Sequence, residues 1–375
     1  MKPYYEKYNS FINLVEAFYQ SSLVVEDKNE LISEVIKLIN DENIEFINNY
    51  LARGNYLISH SKAYKDNYHP HYLVINKKYI NLALKEETMK SKVYFTSDIT
   101  PQGVMKLYNA INFPLEGNTC IKVHSGEPGN QNFLRPGFWR DIISEVDGTV
   151  VECNTAYEGK RNKTFLHLET MKLHGWSEFE NEILDEEAPD LVLDIPNGKV
   201  IKTNYVGKGL VKYDSMLVLS HFKGHPMGGY GGAIKQLSIG LASSFGKAYI
   251  HGAGEPEKIW SQKQDLFLES MADAAKSIID FFNGNVLYIN VMKNMSVDCD
   301  CCAVAEDPCM KDIGILISTD PVAIDQACID LVYKSNDSGK AHLIERIESR
   351  NGLLTIEAAA KLGCGSKEYE LINID

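Results

Sequence analysis

The sequence predicts an α/β fold with largely parallel sheets and flanking helices, together with an N-terminal mainly helical unit. Two observations support this fold class. After residue 90, short apolar runs alternate with helical patterns, as in a parallel sheet covered by helices. Before it, apolar residues between Phe11 and Ile39 recur at the spacing of amphipathic helices. The chain has 375 residues, of which 44% are hydrophobic, so it can bury a sizeable core.

The chain is predicted to divide into two parts. Residues 1–88 form the N-terminal mainly helical unit, and residues 89–375 form the α/β domain, which could comprise two lobes. The boundary follows the charged run 85–87, where a strand-like segment begins. In the first part, the segment His69-Pro70-His71 could bind a metal, but we favour a structured turn because a strand-like run follows it. This part has no assigned function, and it could bind a partner protein.

Within the α/β domain, each predicted strand is a short apolar run, and each predicted helix has apolar residues at helical spacing. The predicted strands are 89–95, 119–123, 148–155, 216–219, 248–250, 285–291 and 312–318. The predicted helices are 100–111, a helix that includes Ile234, 265–282, one that starts at Pro321, and 353–363. Asp320 is expected to cap the helix at Pro321, and Asp325 in its first turns could hold a ligand or a histidine.

Charge and hydropathy exclude some classes of protein. The formal net charge of -13 argues against a surface that binds nucleic acid by neutralising phosphates. The N-terminal segment lacks the apolar core of a signal peptide, and no apolar run is long enough to cross a membrane. We therefore expect a cytoplasmic protein that binds neither nucleic acid nor membrane.

Segment 220–251 follows the apolar run 216–219 and concentrates histidine, lysine and glycine. Side chains just after parallel strands are expected to line a cleft, where imidazoles can move protons and glycine N–H groups can bind an anion. The catalytic candidates are His225, Lys235 and His124, the last of which follows the strand 119–123. The candidates for cofactor binding are Lys223, Gly228, Gly229, Gly231, Gly232 and Lys235. The alternative is a tight turn with structural histidines.

Cysteine is clustered near residue 300. Thiolates bind iron, zinc and other soft metals far better than magnesium or calcium, and Cys299 and Cys302 have the spacing that lets two sulfurs reach one metal. The metal-ligand candidates are His251, Cys299, Cys301, Cys302 and Cys309, and the metal expected is iron, zinc or nickel. The spacing does not fit a ferredoxin run. A buried structural role or a redox-sensitive role for these thiols is the alternative.

Five segments in a fixed order resemble one protein family. They are KVYFTSDIT, KVHSGEPGN, HFKGHPMGGYGGAIKQLSIGLAS, VDCDCC and DIGILISTDPVAIDQACIDL. They are similar to the family of the domain of unknown function 362, whose members are often called uncharacterised iron-sulfur-centre proteins, over about residues 91–375. Many members carry a ferredoxin-like insert after the position of His251. Here residues 252–263 lead directly into a helix, so ferredoxin-type clusters are not expected.

A more distant resemblance links the same segment to lactate-racemase-type enzymes, which use a nickel pincer nucleotide tethered to a lysine. The matching residues are His225, Pro226, the glycines, Lys235 and His251. The resemblance implies that Lys235 is the tether, that His251 is a metal ligand and that His225 is an acid or base, with His124 as a second partner. The glycines would hold the nucleotide phosphate.

These observations predict a metal- or cofactor-dependent enzyme that acts on a small anionic substrate, such as an isomerase, a racemase or a redox enzyme. Its ligand would be a small anionic molecule or a nucleotide-like cofactor. The alternative is a non-catalytic metal-binding or iron-sulfur/redox protein that uses the cluster Cys299–Cys309.

Overall fold

The structure is a computed structural model that describes residues 90–375. The core of these residues is one eight-stranded sheet. The strand order is β12-β1-β11-β10-β7-β2-β3-β4. The strands are β1 (Ser91–Thr96), β2 (Thr119–Lys122), β3 (Thr149–Glu152), β4 (Asn181–Ile183), β7 (Ser215–His221), β10 (Val286–Met292), β11 (Gly314–Ser318) and β12 (Tyr369–Asn373). In this sheet, β11 runs antiparallel to both of its neighbours and the other pairs are parallel. The predicted α/β class with a largely parallel sheet is confirmed.

The N-terminal mainly helical unit predicted for residues 1–88 lies outside the described residues, as does the segment His69-Pro70-His71. The boundary at residue 89 and the two-lobe division stay predictions. In the described part of the chain, no helix has the length and apolar character needed to cross a membrane.

The central strands contain long apolar runs because both faces of the sheet are covered. In β7, Met216 and Val218 belong to the core on one face, whereas Leu217 and Leu219 belong to the core on the other. Strand β10 alternates in the same way, and each of its seven residues is buried. A strand buried on both sides loses the polar alternation of an exposed sheet, so a continuous apolar run is the expected sequence pattern.

Helices cover both faces. They are α1 (Pro101–Ile111), α2 (Pro136–Val146), α3 (Thr164–Leu173), α4 (Ala233–Leu241), α5 (Ser244–His251), α6 (Gln264–Phe281), α7 (Pro321–Lys334), α8 (Lys340–Ser349) and α9 (Leu353–Lys361). Helices α1 and α2 pack on one face, and α4, α6, α7 and α9 pack on the other. Asp320 caps α7 as predicted, because its carboxylate accepts hydrogen bonds from the N–H groups of Val322 and Ala323.

Two short ribbons lie outside the main sheet. Strands β5 (Leu191–Asp194) and β6 (Thr203–Val206) pair antiparallel, and so do β8 (Lys223–His225) and β9 (Gly229–Gly231). The second ribbon is the glycine-rich segment, and it places His225 next to the turn that joins its two strands.

The strand predicted at 248–250 is wrong, because these residues form the end of α5. Ser243 starts that helix by accepting a hydrogen bond from the N–H of Gly246. Tyr249 packs edge-on against Tyr205, while Ile250 is buried. A three-residue apolar run fits a strand and a buried helix equally well, and the serine cap and tertiary packing decide for the helix.

Candidate functional site

The largest concentration of predicted site residues lines one cavity of about 610 Å³, which we call the main cavity. It lies beyond the carboxyl ends of β2 and β3, beside the ribbon β8–β9 and the helices α4 and α5. His124, His225, Lys235, His251, Cys301 and Cys302 all line it. The cavity therefore lies where ligands commonly bind in α/β folds. Its lining residues come from strand ends, a ribbon, two helices and a distant loop.

A second, inner cavity of about 20 Å³ adjoins the main one and has room for about one water molecule. His124, Lys235 and Gln236 line both cavities. Lys223, Gly231, Gly232 and Cys299 line the inner one. Gly228, Gly229 and Cys309 are not among the lining residues of either cavity.

His225 has a tautomer that its own turn determines. Its Nδ1 atom accepts hydrogen bonds from the N–H groups of Met227 and Gly228, at 3.1 and 2.9 Å. Burial lowers its pKa to about 4, so the ring is neutral at pH 7. A neutral ring with an acceptor at Nδ1 carries its hydrogen on Nε2. That Nε2 atom lies 3.9 Å from the sulfur of Cys301.

His124 is arranged in the same way. Its Nδ1 accepts a hydrogen bond from the N–H of Gly126 at 3.1 Å, which leaves the ring hydrogen on Nε2. Burial lowers the pKa of His124, although the neighbouring Cys299 opposes this shift. Both histidines therefore present an N–H group, rather than a lone pair, to the region around Cys299.

His251 has the opposite tautomer. Its Nδ1 lies 2.7 Å from the carbonyl oxygen of Lys247, and because a carbonyl can only accept, Nδ1 carries the hydrogen. The ring stacks on Phe267 with 4.6 Å between centroids. Burial lowers its pKa to about 3, so His251 is neutral at pH 7 and has a lone pair on Nε2.

Two thiols and one imidazole meet near the ribbon. The ligand atoms of His225, Cys299 and Cys301 lie within 4.8 Å of one another. The pKa of Cys299 is well below the ordinary value because it receives a hydrogen bond from Cys301, and Lys235 and Lys223 favour its thiolate further. The pKa of Cys301 is raised by its interaction with the neighbouring thiols of Cys299 and Cys302 and by burial.

The spacing of the trio His225, Cys299 and Cys301 suits a metal ion, but the tautomer of His225 does not. A metal at Nε2 would displace the ring hydrogen and leave the imidazole without any proton, or it would break both hydrogen bonds to Nδ1. Cys309 does not join the trio, because its sulfur lies 3.3 Å from the carbonyl oxygen of Met295. Within residues 90–375, the site therefore offers two thiols and no third ligand of suitable tautomer, which is an incomplete metal site.

Lys223 is held in a buried network that the sequence did not reveal. Its Nζ donates to Asp300 at 2.7 Å, and the same carboxylate accepts from His221 Nδ1 at 3.0 Å. Burial opposes ionisation of Asp300, but His221 and Lys223 outweigh it and lower the pKa of this carboxyl group. The charge of Lys223 is therefore largely neutralised by a neighbour.

The glycine-rich segment packs mainly against other parts of the protein rather than facing a cavity. A Cβ atom on Gly229 would lie 2.9 Å from the Cα of Gly352, and one on Gly232 would lie 2.4 Å from Asp325. The carboxylate of Asp325 accepts from the N–H groups of Ala233 and Ile234 at the start of α4. The N–H groups at the start of α4 are thus bound internally, and Asp325 holds a helix N-terminus, not a ligand or a histidine.

Several cavity residues were missed by sequence reasoning. Lys122 ends β2 and forms a buried ion pair with Glu152 at 2.7 Å, and Lys247 lies in α5. Arg161 is buried and pairs with Glu127 at 2.8 Å. A lysine inside an otherwise apolar strand was a usable signal for Lys122, since such residues are seldom buried without a partner.

Similar solved structures include the lactate racemase apoprotein from Thermoanaerobacterium thermosaccharolyticum, with 14% identity and a TM-score of 0.34 over 55% of this chain and 51% of that chain. A protein from Thermotoga maritima has 10% identity and a TM-score of 0.37 over 70% and 59%.

This chain therefore spans little more than half the length of those two proteins. Among curated proteins, the sequence search found no match. Residues 119–330, more than half of the chain, match the family described as a domain of unknown function, DUF362. The chain belongs to the DUF362 family.

Proposed function

We propose that the protein is a metal- or cofactor-dependent enzyme that acts on a small anionic molecule in the main cavity. The observation that carries this proposal is the charge of the cavity wall. Five cationic side chains line it, namely Lys122, Arg161, Lys235, Lys247 and Arg350. Lys122 is paired with Glu152 and Arg161 with Glu127, so the excess positive charge of the wall comes from Lys235, Lys247 and Arg350. Low-dielectric walls of one sign concentrate ions of the other, so a carboxylate or phosphate is the expected ligand class.

The histidine tautomers support separate roles in the proposed reaction. The Nε2–H groups of His225 and His124 can donate hydrogen bonds to a substrate oxygen as negative charge develops on it. His251 has a lone pair on Nε2 and can accept a proton or bind a metal. This division differs from the sequence-based prediction, in which His225 and His124 both transfer protons.

A cofactor of the nickel-pincer type, as implied by the resemblance to lactate-racemase-type enzymes, has two partners of suitable chemistry. Lys235 lines both cavities and could form the covalent tether, and His251 has the tautomer of a metal ligand. The cofactor would bring the metal to the substrate. The glycines give less support for a phosphate site, because most of them pack against the protein itself. Of Gly228, Gly229, Gly231 and Gly232, only Gly231 would keep a Cβ atom at least 3.6 Å from other atoms of the described protein.

The experiment compares the full-length wild type with Lys235→Ala and with the exposed control Lys263→Ala. The intact mass of denatured protein reports a covalent adduct, and elemental analysis reports nickel, zinc and iron. Small 2-hydroxy carboxylates are then incubated with each protein in D₂O, and proton NMR follows exchange of the carbon-bound hydrogen.

We expect exchange with the wild type and with Lys263→Ala, and at least a tenfold loss with Lys235→Ala. Any adduct should disappear in the same variant. The proposal is wrong if Lys235→Ala keeps both the adduct and the exchange rate. It is also wrong if the wild type exchanges the hydrogen of none of the carboxylates and none of them raises its melting temperature.

A further inference from the structure

Two cysteine sulfurs and two imidazole N–H groups meet where the two cavities adjoin. Cys299 is 1% exposed and lines the inner cavity, while Cys301 is partly exposed and lines the main one. Their sulfur atoms lie within 4.8 Å of each other. A small molecule in the main cavity can therefore reach Cys301 directly, and one as small as hydrogen peroxide can reach Cys299 where the inner cavity adjoins the main one.

The surroundings of these sulfurs favour a thiolate over a metal–thiolate bond. His225 presents an N–H group rather than a lone pair, because its Nδ1 is occupied by two backbone donors. His124 also presents an N–H group, because its Nδ1 accepts from the N–H of Gly126. These hydrogen-bond donors and the ammonium group of Lys235, which lines the same inner cavity as Cys299, stabilise negative charge on sulfur, and a thiolate is the nucleophilic form of cysteine.

We propose that Cys299 and Cys301 form a redox-active dithiol that is converted reversibly to a disulfide by small hydroperoxides. This function is additional to the proposed activity and does not depend on it. Cys302 is the less suitable partner for Cys301, since adjacent cysteines pair only in a small, strained ring. Pairing of Cys299 with Cys301 instead closes the loop across Asp300, whose carboxylate is already fixed by Lys223.

The reaction balances with hydrogen peroxide as the oxidant. The thiolate of Cys299 attacks one peroxide oxygen, the O–O bond breaks, and the departing hydroxide takes a proton from solvent to become water. The thiol of Cys301 then attacks the sulfur of the resulting sulfenic acid. The S–S bond forms, the S–O bond breaks, and the hydroxyl group leaves with the thiol proton as a second water.

The disulfide would also change the main cavity. Oxidation removes the thiolate charge beside Lys223, Lys235 and His225, so the wall of the cavity becomes more cationic and the N–H of His225 loses its sulfur acceptor. The oxidised protein should therefore bind anions in the main cavity more tightly than the reduced protein.

The test uses the full-length protein after reduction and treatment with a metal chelator. Hydrogen peroxide is added, remaining thiols are alkylated, and peptides are sequenced by mass spectrometry. We expect loss of two of the eight thiols, a peptide joined through Cys299 and Cys301, and recovery of both thiols on reduction. Cys301→Ser should stop at a sulfenic acid on Cys299 that dimedone traps, whereas the matched controls Cys302→Ser and Cys309→Ser should form the disulfide normally.

Two results would overturn the proposal. One is that the wild type forms a disulfide between other cysteines, or forms no disulfide, at peroxide concentrations that leave the fold intact by circular dichroism. The other is a metal ion that survives the chelator at one per chain and protects Cys299 and Cys301 from alkylation. Both are measured on the wild type, so a variant that fails to fold changes neither of them.

Discussion

Replacing Lys122 with methionine should be strongly destabilising, because it removes one partner of a buried ion pair. The side chains of Lys122 and Glu152 are 1% and 4% exposed, and the Nζ–Oε2 distance is 2.7 Å. Lys122 also donates to Gln236 at 3.2 Å and to the carbonyl of Val123. Methionine keeps the length of the side chain but leaves the carboxylate of Glu152 buried without its counter-ion, which in other proteins costs about 3–5 kcal/mol.

The pH dependence of the variant has a defined sign. In the wild type, burial opposes ionisation of Glu152 but Lys122 outweighs it, so the pKa of this carboxyl group lies below its ordinary value. Such a group contributes stability above the unfolded pKa and loses it as the pH falls. Without Lys122, the largest of the charges that lower the pKa of Glu152 is gone, so this pKa rises and the destabilisation of the variant shrinks as the pH falls towards the range where the carboxyl protonates. The difference between the two proteins should therefore be largest near pH 8 and smaller near pH 5.

The assay is urea unfolding at both pH values, with two further proteins for comparison. Lys122→Met combined with Glu152→Gln should recover much of the loss, because the buried charge is gone and the amide oxygen can still accept from the N–H of Ser125. Arg140→Met breaks the exposed pair with Glu178, also at 2.7 Å, and should cost less than about 1 kcal/mol. A cost for Lys122→Met no greater than that for Arg140→Met would refute the reasoning.

Two further predictions concern stability. Burial lowers the pKa of His167 to about 3, so the wild type should lose stability as the pH falls below about 6.5. In urea unfolding, His167→Leu should lose about 2 kcal/mol less stability than the wild type between pH 6.5 and 5. The exposed control His342→Gln should follow the wild type. Gly229 and Gly284 have φ values of 80° and 78°, but only Gly229 would place a Cβ against backbone, at 2.9 Å from Gly352. Gly284→Ala should therefore cost about 1 kcal/mol from backbone strain and Gly229→Ala clearly more, and equal costs by the same assay would contradict the packing argument.

Much of the fold was predictable because the central strands are buried on both faces. Runs such as 216–219 and 286–289 are apolar without interruption, and this composition is typical of a covered parallel strand. The short run 248–250 was not predictable, since its state depends on the cap at Ser243 and on contacts with Tyr205. Strand order also depends on contacts between distant segments and has no local signal.

The candidate site was predictable in its members but not in its chemistry. Residues that follow strands could be expected at one edge of a sheet, and His124, His225, Lys235 and His251 do line one cavity. Which nitrogen of each ring carries the hydrogen depends on backbone groups in the local turn or helix, such as Gly126 and Lys247. The occupation of the α4 N-terminus by Asp325 needed tertiary structure, because that carboxylate lies more than ninety residues away in the sequence.

The part of the chain that carries the family match cannot complete its own sheet. Residues 119–330 include β11, but β11 pairs on one side with β1, which lies before the match. Gly352, which supports the ribbon at Gly229, and Arg346, which donates to the carbonyl of Val297, lie after it. A protein trimmed to residues 119–330 would expose an unpaired strand edge and release the ribbon that carries His225, so the smallest autonomous folding unit is larger than the stretch that homology delimits.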